Sequence, residues 1–183
     1  MTNEGGPSSA TLAPDVQVED AVNITYRLNG RDVSACVEPR QLLVHHLREE
    51  QFLTGAHVGC DTSQCGACAV RVDGRVAKAC SVLACQVDGA EVVTIEGVSA
   101  GSAQEMNRVQ AAFSRHHALQ CGFCSPGMVM TATELLDRGV PLNEDEVRHA
   151  LVGNICRCTG YQNIVRAIVE LSNEPVAAGQ VDR

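Results

Sequence analysis

The sequence predicts an α+β chain in two parts, strand-rich first and all-helical after. Two strand pairs joined by tight-turn dipeptides predict the first part, and the loss of strand signals beyond Gly97–Ala103 predicts the second. Eight of the ten cysteines fall into two sets of four, one set in each part.

Residues 1–20 are rich in Gly, Pro, Ser and acidic groups, with little apolar surface to offset ordering, and are expected to be a flexible lead-in. A first domain is expected over 21–97. Val22–Leu28 alternates apolar and polar residues, Asn29–Gly30 is a two-residue hairpin turn, and Val33–Val37 returns as the second strand until Pro39 stops it. Leu42, Leu43 and Leu47 within 41–50 suit a helix packed on the sheet. After a cysteine-bearing loop, Ala69–Val72 and Val76–Ala77 flank the turn Asp73–Gly74, and Glu91–Ile95 adds another strand.

A linker is expected over 98–106, a helical domain over 107–175 and a tail over 176–183. The first helix, about 105–117, should bury Met106, Val109, Ala112 and Phe113. Ser125–Pro126 reads as N-cap and first-turn proline of a helix ending near Gly139. Asn143 with Glu146 forms a capping arrangement for a helix reaching Leu151. Gly160 precedes a last helix with the apolar face Ile164, Val165, Ile168, Val169 and Leu171. The four helices would surround the second cysteine set, with Cys124 near the favourable field of a helix start.

Cys60, Cys65, Cys68 and Cys80 read C-x4-C-x2-C with a fourth cysteine twelve positions on, the plant-type spacing for a two-iron, two-sulfur cluster. Gly59 and Gly66 let this loop turn tightly and aim backbone N–H groups at the sulfurs. A zinc ribbon usually shows two C-x2-C pairs, and this set has one. Disulfide scaffolds are typically short and exported, and this chain shows neither trait. The second set is C-x2-C at Cys121 and Cys124, then C-x-C at Cys156 and Cys158 after 31 intervening residues. Two complete sets point to two metal centres and a role in moving electrons.

A net charge of -8 argues against a nucleic-acid partner. No apolar run approaches membrane-spanning length and the N-terminus lacks signal-peptide features, so no transmembrane segment and a cytoplasmic location are expected. Cys36 and Cys85, outside both sets, are expected to pack as small hydrophobes. His45, His46, His116 and His117 are expected in surface or packing roles. His57 is expected to donate a hydrogen bond rather than ligate, and Phe123 to shield a cluster from water. Arg157 either lends positive charge to the second cluster or pairs with a surface carboxylate.

The stretches Gln120–Met128 and Gly153–Tyr161 resemble the second-cluster signature of the molybdenum hydroxylases, the xanthine oxidase family. With Gly59–Cys68 they resemble its separate small iron–sulfur subunit, and the likeness runs from about Val22 to Leu171. Ala69 and Ser125 stand where threonine is common in that family, and Ile155 where leucine is common. The resemblance implies a β-grasp plant-type ferredoxin domain followed by an all-α four-helix-bundle 2Fe-2S domain. It implies one cluster on Cys60, Cys65, Cys68 and Cys80 and another on Cys121, Cys124, Cys156 and Cys158. It also implies that Gln120 contacts a molybdopterin cofactor and that Cys158 lies on the electron route from it.

The expected partners are a large subunit with molybdopterin cytosine dinucleotide and a medium subunit with FAD, assembled as a dimer of heterotrimers. Electrons would run from molybdenum through the second cluster and then the first to flavin, with no catalytic residue on this chain. Gly55–Ser63 and Val37–Arg40 look most like small subunits of aerobic carbon monoxide dehydrogenase, which implies carbon monoxide and water going to carbon dioxide. Related small subunits of N-heterocycle or aromatic hydroxylating enzymes carry similar loops. A free-standing two-cluster ferredoxin is a third reading.

Overall fold

The computed structural model describes residues 21–98 and 106–174. The lead-in 1–20, the tail 176–183 and most of the expected linker lie outside the described residues.

Alternation turns Ile24, Tyr26 and Leu28 of β1 (Val22–Leu28) inward, and a turn at Asn29 and Gly30, both at positive φ, reverses the chain into β2 (Arg31–Val37). The same left-handed pair recurs at Asp73 and Gly74, joining β3 (Ala69–Val72) to β4 (Arg75–Lys78). With β5 (Glu91–Val93) they form one sheet in the order β2-β1-β5-β3-β4. All neighbours are antiparallel except β1 and β5, which run parallel with Arg27 opposite Glu91 and Leu28 opposite Val92. The chain after β2 starts as α1 (Leu43–His45) and loosens into a π-helical turn over His46–Glu50. Leu43, Val44 and Leu47 from this segment fill the sheet's inner face against Ile24, Val70 and Val92.

Among the described residues, four helices build a second core. They are α2 (Arg108–Arg115), α3 (Ser125–Leu136), α4 (Glu144–Ala150) and α5 (Gln162–Asn173). Phe113, Met128, Val147, Ile164, Val165 and Ile168 meet there. Asn107 and Asn143 cap α2 and α4 with reciprocal bonds to Gln110 and Glu146.

Four local expectations need correction. Helix α2 begins after its Asn107 cap, which leaves Met106 58% exposed rather than buried. The N-cap of α3 is Cys124, and Ser125 is already the first helical residue. The last strand ends at Val93, and Ile95–Gly97 curls into a 3-10 turn. Cys36 is exposed, because the alternation that sends Val37 inward sends Cys36 outward, whereas Cys85 packs against the first core as expected.

The two cores meet at α3 and the first cysteine loop. Glu134 accepts the Val76 N–H at 3.2 Å, and Arg71 reaches Asp137 at 3.5 Å. Gly127 lies so close to the loop that a Cβ there would stand 2.1 Å from the Gly66 carbonyl oxygen. Only a residue without a side chain permits this approach.

Candidate metal centres

The first tetrad hangs on the loop between the π-helical turn and β3, with Cys80 supplied by a 3-10 turn after β4. Asp61, Ser63 and Gly66 all take positive φ, which curls the loop so that its N–H groups point at sulfur. Thr62, Gln64 and Cys65 donate to Cys60 Sγ at 3.4, 3.3 and 3.3 Å, and Ser63 N–H donates to Cys80 Sγ at 3.3 Å. Lys78 Nζ holds the loop from outside through the Ser63 carbonyl at 2.6 Å.

These donors act on the thiols. The Thr62 N–H, then that of Cys65, brings Cys60 down to about 6. Burial pushes Cys68 up to about 12 and also raises Cys65. The cage thus has a thiolate-ready outer corner at Cys60 and a dry inner wall at Cys68 and Cys80.

The second tetrad joins the α2–α3 loop to the α4–α5 loop. Cys124 caps α3 and burial pushes its thiol up to about 12. Burial also pushes Cys156 up, but the Thr159 hydroxyl at 3.0 Å and N–H at 3.5 Å outweigh it and leave the thiol lowered. The Phe123 N–H lowers Cys121, while Cys158 is raised by the hydrogen bond that its thiol donates to Cys121 Sγ, 3.5 Å away. Tyr161, left-handed at φ 67, accepts the Cys156 N–H at 2.9 Å and donates to the Asn154 carbonyl at 3.2 Å. That pair of bonds locks the C-x-C turn.

The second tetrad has one buried and one open side. Cys121 and Cys158 are exposed, with Gln120 and Arg157 exposed beside them. Arg157 makes no ion pair with the described residues, so the paired-carboxylate alternative gains no support. Among the described residues, no three His, Cys, Asp or Glu side chains close around one point as a single ion needs. A two-iron cluster spreads four thiolates over two metals, and the fit to such a group lies in the donor set: four cysteines per tetrad, with N–H donors already aimed at sulfur.

The tetrads touch through backbone. Ile155 N–H donates to the Cys65 carbonyl at 2.8 Å, linking a residue of the first set to the neighbour of Cys156 in the second. Asn154 Nδ2 donates to the Gly127 carbonyl at 3.3 Å on the same seam. His57 donates from Nδ1 to the Phe123 carbonyl at 2.7 Å and stacks on its ring with centroids 4.7 Å apart. His57 is therefore a donor, and Phe123, half exposed, braces the two cysteine loops.

Three other histidines pair with carboxylates. His45 faces Glu49 and Asp61, and His116 binds Glu170 at 2.8 Å. His46, wholly buried, joins Tyr26 OH and Glu50 at 2.8 Å each. Sequence reasoning missed that chain and the Gly66–Gly127–Asn154 seam. An isolated glycine inside the first turn of α3 was the available signal for close packing.

A model of the 2Fe-2S iron–sulfur cluster binding domain matches residues 26–90, and one of the 2Fe-2S binding domain matches residues 94–169. The nicotine 6-hydroxylase small subunit of Paenarthrobacter nicotinovorans is 46% identical over 82% of this chain and 90% of its own length. The chain belongs to the iron–sulfur subunits of the molybdenum hydroxylase family. Within it, caffeine dehydrogenase subunit gamma of Pseudomonas sp. (strain CBB1) is 42% identical over 81% of this chain and 90% of its own. The solved quinoline 2-oxidoreductase from Pseudomonas putida 86 superposes with a TM-score of 0.79 at 42% identity, covering 84% of this chain and 94% of the matched one. The two-cluster α+β architecture and the electron-transfer role within an oxidoreductase complex follow from this membership. None of the helices is long and apolar enough to cross a membrane, among the described residues.

Proposed function

We propose that this chain relays electrons between a molybdenum-cofactor subunit and an FAD subunit of a complex that hydroxylates an N-heterocycle. The observation that carries the relay is the Ile155 to Cys65 backbone bond, which joins the two cysteine cages. Each two-iron cluster, when bound, takes up and returns a single electron. Cys60, Cys65, Cys68 and Cys80 hold the first cluster, and Cys121, Cys124, Cys156 and Cys158 the second. The N–H groups of Thr62, Gln64, Cys65 and Thr159 favour the added negative charge of a reduced cluster.

The open edge at Gln120, Cys121, Arg157 and Cys158 faces the molybdenum subunit in this reading, with Gln120 reaching the pterin. The first tetrad serves the flavin side. The complex is a cytoplasmic dimer of heterotrimers. The domain division at 21–97 and 107–175 is part of the same proposal.

The substrate class follows three of the relatives, named for nicotine, caffeine and quinoline, all N-heterocycles, although others are named for aldehydes. Carbon monoxide is supported only by the loops at Gly55–Ser63 and Val37–Arg40, which related subunits share, so it stands second. An anaerobic visible spectrum of the purified complex decides between them. Bleaching of the cluster absorbance by an N-heterocycle such as nicotine or quinoline, but not by carbon monoxide, is expected. Bleaching by carbon monoxide alone would overturn the substrate class and leave the relay intact.

A further inference from the structure

Three buried side-chain polar atoms among the described residues lack a hydrogen-bond partner: Arg71 Nε, Asn107 Nδ2 and Ser125 Oγ. The first two belong to side chains that are otherwise engaged, Arg71 with Asp137 and Asn107 with the Gln110 N–H. Ser125 has nothing but its hydroxyl, and it follows Cys124 directly.

Other hydroxyls on the same helix show how α3 usually satisfies them. Thr131 donates to the Gly127 carbonyl at 3.0 Å and Thr133 to the Val129 carbonyl at 2.8 Å, each one turn back. Ser125 is the first residue of α3, so no earlier helical turn offers it a carbonyl. A buried hydroxyl left alone forfeits its hydration with no return, which points to a partner outside the polypeptide. At the neighbouring thiol, Thr159 already gives Cys156 both a hydroxyl and an N–H. Ser125 adjoins Cys124, yet its hydroxyl bonds no cysteine sulfur, which leaves the cluster's own inorganic sulfur as the acceptor.

We propose that the Ser125 hydroxyl donates a hydrogen bond to a sulfur of the second cluster and thereby raises its reduction potential. This rests on the reading that the second tetrad holds that cluster. The bond strengthens as the cluster gains negative charge, so it favours the reduced form. Ser125 is a positioning and tuning residue and touches no substrate.

The test is a redox titration of the purified complex followed by paramagnetic resonance, for wild type, Ser125→Ala and Ser125→Thr. Iron content and two separate signals in the wild type check the two-cluster reading independently of any variant. The alanine variant is expected to lower the midpoint of the second cluster and leave the first unchanged, while threonine, which keeps the hydroxyl, stays at the wild-type value. Loss of the second cluster in the alanine variant with retention in the threonine variant also supports the bond. An alanine variant with an unmoved midpoint overturns the proposal, as does a threonine variant that shifts or loses the cluster as far as alanine does.

Discussion

Replacing Gly127 with alanine tests the seam that holds the two cysteine cages together. The new Cβ would meet the Gly66 oxygen at 2.1 Å, its carbonyl carbon at 3.0 Å and Ala67 Cα at 3.3 Å, where ordinary contact begins near 3.4 Å. All three are backbone atoms. The loop cannot shift freely, since Gly66 is itself crowded by the Gly153 oxygen, 2.5 Å from where a Cβ would sit. Alanine returns about 1 kcal/mol in helix propensity, against about 1–3 kcal/mol for overpacking and about 1 kcal/mol for each hydrogen bond broken. The bonds at risk are Ile155 to Cys65 and Asn154 to Gly127. The net expectation is a loss of roughly 2–4 kcal/mol, read as a lower temperature for thermal loss of cluster absorbance in the purified complex. A variant melting with the wild type would show that the seam tolerates a Cβ.

Three further outcomes are expected. Tyr26→Phe removes the partner of His46 Nε2 at a wholly buried site, which should cost about 1–3 kcal/mol in thermal or denaturant unfolding; unchanged stability would contradict the buried chain. His57→Ala removes both the bond and the stacking to Phe123, so a chelator should strip iron from the complex several-fold faster, and an unchanged rate would deny His57 its bracing role. Burial raises the Cys68 and Cys124 thiols from 9.0 to about 12, so the folded metal-free chain holds their protons more tightly than the unfolded one. Their contribution to stability is therefore full below pH 9 and lost as pH climbs toward 12, and circular-dichroism melts of the metal-free chain should fall across that window. Melts that rise there would reverse the sign.

The turns at Asn29–Gly30 and Asp73–Gly74 were legible because both need left-handed residues, while the second cysteine set, split by 31 residues, was legible from its resemblance to a family signature and the first from its local spacing. The caps at Asn143 and Glu146 were legible for the same reason. Strand order was not, since the parallel pairing of β1 with β5 joins residues more than sixty positions apart. Nor could local pattern find Tyr26 beside His46, or Gly127 against Gly66, because each contact is made only when separate elements pack. Met106 shows a different limit. Its apolar character fitted a helix face, but the Asn107 cap starts α2 after it and leaves it in solvent.

Two two-iron clusters in distinct cages on one chain are what the whole reading stands on. The most direct measurement is iron and acid-labile sulfide per chain in the purified complex, with paramagnetic resonance after reduction. About four of each and two distinguishable signals are expected. Two iron atoms per chain, or a single signal at full reduction, would contradict that reading.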